Sequence, residues 1–228
     1  MKKKNAYLMV GVLLSLICAS LLIEGITYTY AKKHYVPLQG VSIVLDAGHG
    51  GKDDGAQSGD IKEQAINLNI TLYLKELLEN AGAKVILTRD GDYDLADDSA
   101  TNRKREDMKK RMELINAEDV DLFLSIHLNA YPNPSVKGAQ AFYEKNNEVS
   151  KVFADIVQKY LKELTKTNMT SKVGDYYILN NANKVGALVE CGFLSNAEDK
   201  AKLVQADYQK QIAQSLFNAI REYFDILS

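Results

Sequence analysis

The chain has 228 residues, 46% of them hydrophobic and 25% charged, values that suit one globular catalytic domain plus a short extra segment. A formal net charge of -2 lacks the basic footprint of a nucleic-acid binder, so no nucleic-acid partner is expected. Cys18 and Cys191 are the only cysteines and Cys18 lies in the N-terminal apolar run, which excludes a disulfide framework.

Lys2, Lys3 and Lys4 precede an apolar stretch from Ala6 to Ile23, the order of an export signal. The stretch is long for a cleaved signal and just sufficient for a membrane span. Thr29-Tyr30-Ala31 is a passable cleavage site, so cleaved signal and uncleaved anchor both remain open, with the anchor favoured. The lysines keep the N-terminal end in the cytoplasm and place the rest outside. Ile17 before Cys18 does not suit a lipoprotein signal. Residues 1–31 are therefore read as signal or anchor, 32–40 as linker and 41–228 as the catalytic domain.

From Val41 onward, strand-like and helix-like segments alternate. Val41 to Asp46 is a short apolar run that suits a strand buried on both faces. Ile66, Ile70, Leu74, Leu77 and Ala81 recur at helical spacing, with Gly82 to end the helix. Lys84–Thr88 reads as a strand, Asp90–Asn102 as an exposed loop, and the charged stretch that follows as a helix to about Ala117. Asp121–His127 is a third strand and Gly138–Tyr143 a further one. Val149–Leu164 is an amphipathic helix, Val185–Glu190 a strand and Tyr208–Phe224 a final helix. This rhythm predicts an α/β fold: a mainly parallel, twisted sheet with helices on both faces. Ligands of such sheets bind at the carboxyl ends of the strands.

Those ends carry the chemistry. His49 follows the first strand within Asp46-Ala47-Gly48-His49-Gly50-Gly51. His127 ends the third, and Glu190 ends the Val185 strand. Glu63 lies at the start of the first helix, which points at the same edge. Two histidines and a carboxylate make a suitable shell for catalytic zinc. Each residue has a plainer reading. A strand-end histidine is often a hydrogen-bonded structural residue. Asp60-Ile61-Lys62-Glu63 has the spacing of a helix capping box. Glu190 is harder to dismiss, because a carboxylate after an apolar run is costly unless paired or functional. Cys191 follows the same run and reads as a buried thiol rather than a nucleophile. The glycines around His49 lack the spacing of a phosphate loop. His34 receives no role.

Four blocks, Leu45-Asp46-Ala47-Gly48-His49-Gly50-Gly51, Glu63, Ser125-Ile126-His127-Leu128-Asn129-Ala130 and Val189-Glu190-Cys191-Gly192-Phe193-Leu194-Ser195-Asn196, resemble the signature of the zinc-dependent N-acetylmuramoyl-L-alanine amidases of the third amidase class. The match runs from about Val41 to the C-terminus. The single domain and N-terminal segment look most like the germination-specific, spore-cortex branch. The resemblance implies that His49, Glu63 and His127 bind Zn2+, that Glu190 is the catalytic carboxylate, and that Asn129 contacts substrate. It gives Arg111 and Asn116 structural roles. Gly186 stands where members often carry a proline, and Leu128 where a small residue is frequent. The implied substrate is peptidoglycan, glycan strands bearing stem peptides, cut between the muramic-acid lactyl group and L-alanine. The N-terminal segment makes the membrane an expected partner, and a further reading is that activity needs an accessory protein, which the sequence does not name. Competing readings are a zinc carboxypeptidase acting on stem peptides and a non-catalytic wall-binding module.

Overall fold

The computed structural model describes residues 16–24 and 37–227, in two compact units, Met1–Val36 and Pro37–Ser228. In the first unit, residues 16–24 form a helix, α1, with exposed side chains. Among the described residues no helix is long and apolar enough to cross a membrane. Most of the predicted 1–31 segment, its lysine cluster included, lies outside the described residues.

The second unit begins with the turn Pro37–Gly40. Leu38 in that turn is fully buried and its N–H donates to Ala81 O at 3.0 Å, so this residue of the predicted linker packs with the domain. The elements then run β1 (Ser42–Ala47), the hairpin β2 (Gln57–Ser58) and β3 (Ile61–Lys62), α2 (Glu63–Asn80), β4 (Lys84–Leu87), α3 (Arg103–Ile115), β5 (Leu122–Asn129), β6 (Gln140–Tyr143), α4 (Glu148–Thr165), β7 (Lys172–Val173), α5 (Tyr177–Asn181), β8 (Val185–Phe193), α6 (Ala197–Leu203) and α7 (Ala206–Leu227). The main sheet has the order β4-β1-β5-β8-β6-β7. Strands β4, β1, β5 and β8 are parallel; β6 runs antiparallel to β8 and carries β7 parallel to itself. The mainly parallel α/β reading therefore holds.

Burial on both faces explains the unbroken apolar runs of the central strands. Strand alternation divides their side chains between two cores. Ile43, Leu45, Leu124 and Val189 join Ile70 and Leu74 of α2, Phe153 of α4 and Leu216 of α7. Val44, Phe123 and Leu188 turn the other way and pack with Met112 and Ile115 of α3 and Ile178 and Leu179 of α5. Leu128 belongs to the first core. Asn116, at the end of α3, donates to Asn181 O and accepts from Asn183 N, a structural tie between α3 and the segment before β8.

The start of α2 corrects the capping-box reading. Helix α2 begins at Glu63, its cap position is Lys62, and no side chain caps it. Asp60 instead sits in the tight turn between β2 and β3, beside Gly59 at φ +63°. A hairpin occupies the residues that a capping box would need. Sequence periodicity also missed β7, α5 and α6, which are too short to display a repeat.

Candidate metal centre

The loop after β1 is shaped by two close approaches. Gly48 N–H donates to Ile126 O at 3.0 Å, holding the loop against β5. A Cβ on Gly48 would fall 2.2 Å from His127 Cε1, so glycine leaves the space that the imidazole fills. Gly55, at φ +68°, is equally constrained: a Cβ there would lie 2.6 Å from Glu63 Oε2 and 2.8 Å from His49 Cδ2. His49 itself takes the left-handed conformation, φ +64°, which a non-glycine residue adopts only when its surroundings impose it.

Two buried arginines supply that constraint. Arg111 of α3 pairs with Asp46 at 2.7 Å and Asp107 at 3.0 Å, and donates to Ala47 O at 2.9 Å and His49 O at 2.7 Å. Arg89, just after β4, donates to Ala47 O and Gly48 O, both at 2.9 Å, and to Gln64 O at 2.8 Å. Asp46 also accepts from Thr88 and Ser125 hydroxyls. Burial alone would raise the Asp46 carboxyl, but the Arg111 charge and these hydrogen bonds prevail and hold it at about 2. The structural role expected of Arg111 is thus a direct grip on the loop bearing His49. Arg89 does comparable work and was missed; its position at the carboxyl end of a strand is the only sequence signal that marks it.

His49, Glu63 and His127 come together at this edge. One donor atom from each lies within 4.8 Å of the other two. Glu63 Oε1 is 3.2 Å from His49 Nε2 and 3.1 Å from His127 Nδ1. The two imidazoles meet edge to face, with centroids 4.9 Å apart. Glu63 is 2% exposed. Its Oε1 accepts from Leu128 N at 2.9 Å and Asn67 Nδ2 at 3.1 Å, and its Oε2 from Ala56 N at 2.8 Å. Burial would raise the Glu63 carboxyl; hydrogen bonds to both histidines overcome this and hold it well below the usual carboxylate range. His49 Nδ1 lies 3.0 Å from Asp53 Oδ1, and Asp53 is tied in turn to Lys104. Such an outer carboxylate fixes which imidazole nitrogen faces inward. Burial would lower the His49 imidazole, but Glu63 and then Asp53 raise it above its ordinary value. Two imidazole nitrogens and an anionic oxygen, the carboxylate held by three further hydrogen bonds, form a donor set that a tetrahedral divalent metal accepts.

Glu190 stands beside this set and is not part of it. It is the register partner of His127 on the neighbouring strand, and on both strands these residues alternate with members of the α2-side core, so they share the side toward α3 and α5. The side chain is 7% exposed and its Oε2 has no hydrogen-bond partner. Burial pushes its carboxyl up to about 7; His127 opposes the rise and Glu63 adds to it. A cleft on this side is lined by His49, His127, Lys104, Tyr176, Tyr177 and Leu188. Tyr176, unnoticed in the sequence, directs its hydroxyl at Glu190 Oε1. Asn129 ends β5, half-buried, with its carbonyl accepting from Leu194 N at 2.8 Å. Cys191 is 1% exposed and burial drives its thiol far above the ordinary range, as expected of an inert thiol.

The chain is similar to known proteins over most of its length. The Amidase_3 family model, N-acetylmuramoyl-L-alanine amidase, matches residues 43–222. The germination-specific N-acetylmuramoyl-L-alanine amidase of Bacillus subtilis (strain 168) is 38% identical over 196 residues, covering 83% of this chain and 82% of that protein. Among solved structures, the CwlD amidase of Clostridioides difficile, determined in complex with the GerS lipoprotein, is 39% identical with a TM-score of 0.79, covering 82% of this chain and 99% of that one. The catalytic domain of CwlV, an N-acetylmuramoyl-L-alanine amidase of Bacillus (Paenibacillus) polymyxa var. colistinus, is 30% identical with a TM-score of 0.72, covering 82% and 99%. The chain belongs to the Amidase_3 family and is a peptidoglycan N-acetylmuramoyl-L-alanine amidase.

Proposed function

We propose that the chain is a zinc-dependent amidase in which His49, Glu63 and His127 hold Zn2+ and Glu190 moves the proton. The observation that carries this reading is the convergence of those three donors within 4.8 Å of one another, with the buried carboxylate of Glu190 on the adjoining strand. Zinc held there supplies a Lewis acid for the scissile carbonyl and makes water acidic enough to ionise near neutral pH. Glu190 takes a proton from the attacking water and delivers it to the departing alanine nitrogen. A C–O bond forms at the lactyl carbonyl, the C–N bond breaks, and a carboxylic acid and a free amine result. General acid–base help of this kind contributes roughly 10²–10⁴-fold. Asn129, two positions beyond His127 on β5, is the proposed substrate contact at the rim.

The substrate lies outside the cytoplasm, and residues 1–31 are the proposed signal or membrane anchor that takes the domain there. Likeness to the germination-specific enzyme of Bacillus subtilis supports a role in spore-cortex maturation, where peptide removal leaves muramic acid ready for lactam formation. The Clostridioides difficile relative is in complex with a lipoprotein, and an accessory protein is proposed here too.

The test is mass analysis of purified peptidoglycan after incubation with the zinc-loaded full chain. Intact stem peptides with free N-terminal alanine are the expected product; release of single amino acids refutes the amidase assignment in favour of a peptidase. Elemental analysis of His127→Ala and Glu63→Ala checks the ligands. Both are expected to lose zinc, and full retention by either removes that residue from the set.

A further inference from the structure

We infer that Tyr176 is a positioning residue that holds the Glu190 carboxylate beside the metal ligands by donating its hydroxyl to Oε1. This rests on the assignment of Glu190 as the proton carrier. An ionised carboxylate offers about four acceptor sites. Among the described residues the hydroxyl of Tyr176, 3.4 Å away, is the only donor with a hydrogen bond to the Glu190 carboxyl group, and Oε2 has none. That distance is long for an O–H···O bond, and contacts of catalytic groups tighten when the reacting complex forms. Donation from the tyrosine fixes the orientation of the carboxylate and leaves its remaining acceptor sites unoccupied.

The tyrosine is itself aimed. It immediately precedes α5, in extended conformation. Its ring meets Phe142 of β6 edge to face, with centroids 5.2 Å apart. It also lies over Gly174, where a Cβ would approach Tyr176 Cδ2 to 2.6 Å. Phe142 pairs with Leu188 in the sheet, two residues before Glu190. The antiparallel strand β6 thus supports the ring, and the ring supports the carboxylate that ends β8. Tyr176 contacts the proton carrier rather than a metal donor, so its loss is expected to act on turnover and not on zinc.

The experiment compares Tyr176→Phe with the wild-type full chain, zinc-loaded, on purified muropeptides. The ring and its packing stay; only the hydroxyl goes. A fall in kcat of roughly 10–100-fold, the scale of a misplaced catalytic group, is expected, with KM and the zinc-to-protein ratio unchanged within twofold. Phe142→Leu, which loosens the ring but keeps the hydroxyl, is expected to lower kcat by a smaller factor at unchanged zinc content. Wild-type kcat in Tyr176→Phe overturns the inference, as does a rise in KM that accounts for the whole loss, or a parallel loss of zinc. Glu190→Gln run alongside separates the two readings. If it is inactive while Tyr176→Phe is wild-type, only the tyrosine's role fails; if Glu190→Gln keeps wild-type kcat, the proton-carrier assignment fails and this inference with it.

Discussion

The two faces of the central sheet are built on opposite principles. Toward α2, α4 and α7, alternate residues of β1, β5 and β8 are hydrocarbon, and fully buried Ile43, Leu45, Leu124 and Val189 meet helix residues that are equally apolar. Toward α3 and α5, hydrocarbon gives way along the same strands to Asp46, Ser125, His127 and Glu190 as they approach their carboxyl ends. The first face contributes burial, worth roughly 1.5–3 kcal/mol per large side chain. The second contributes geometry: a buried ion pair is weak evidence for stability, but Asp46 and Arg111 fix where the loop after β1 must lie. One strand can therefore serve stability on one side and chemistry on the other.

Substitutions on each face should separate these roles. The largest effect is expected from Glu190→Gln, with turnover down roughly 10²–10⁴-fold and thermal midpoint and zinc content unchanged. Equal activity breaks the division by removing chemistry from the second face. Leu74→Ala, at a fully buried residue of α2, should lower unfolding free energy by about 2–5 kcal/mol while kcat per folded molecule is preserved; denaturant titration with active-site counting checks both. Asp46→Asn should cost about 3 kcal/mol, the low end for a broken buried pair, because Asp107 still partners Arg111. Unlike Leu74→Ala, it should also weaken zinc retention by loosening His49. The wild-type carboxyl of Asp46 sits at about 2 when folded, below the ordinary 3.9 or so of an unfolded chain. Its stabilisation is therefore complete above pH of about 4 and fades as pH falls toward 2. Acid unfolding should be flatter across that window in Asp46→Asn. The smallest effect belongs to the exposed pair Lys159–Glu222, which joins α4 to α7 at the surface: Lys159→Ala should change stability by no more than about 1 kcal/mol, with activity untouched.

The same contrast explains what could be read from the chain in advance. Apolar runs and helical periodicity are local patterns, so β1, β5, β8, α2, α4 and α7 were legible, with errors of a few residues at their ends. His49, His127 and Glu190 were legible because each follows such a run. What escaped depends on distant pairing. Nothing near Arg89 in sequence indicates that it will bond Gly48, 41 residues earlier, and nothing near Tyr176 points to Glu190, 14 residues later. Glu63, which the structure brings beside both histidines, carries a competing capping reading in the sequence, because Asp60-Ile61-Lys62-Glu63 satisfies a local rule that the β2–β3 hairpin overrides. Local rules govern where no remote partner competes, and at this sheet edge remote partners dominate.

Arg111 ties the timing of competence to the length of chain that has folded. Its guanidinium reaches back 62 residues to the carbonyl of His49 and 65 to Asp46, while His127 and Glu190 enter from strands that come later still. A nascent or truncated polypeptide ending before α3 has the histidine but no clamp for it, and one ending before β8 lacks Glu190, the proposed proton carrier. The candidate site is therefore complete only once β8 has joined the sheet, with nearly the whole domain in place.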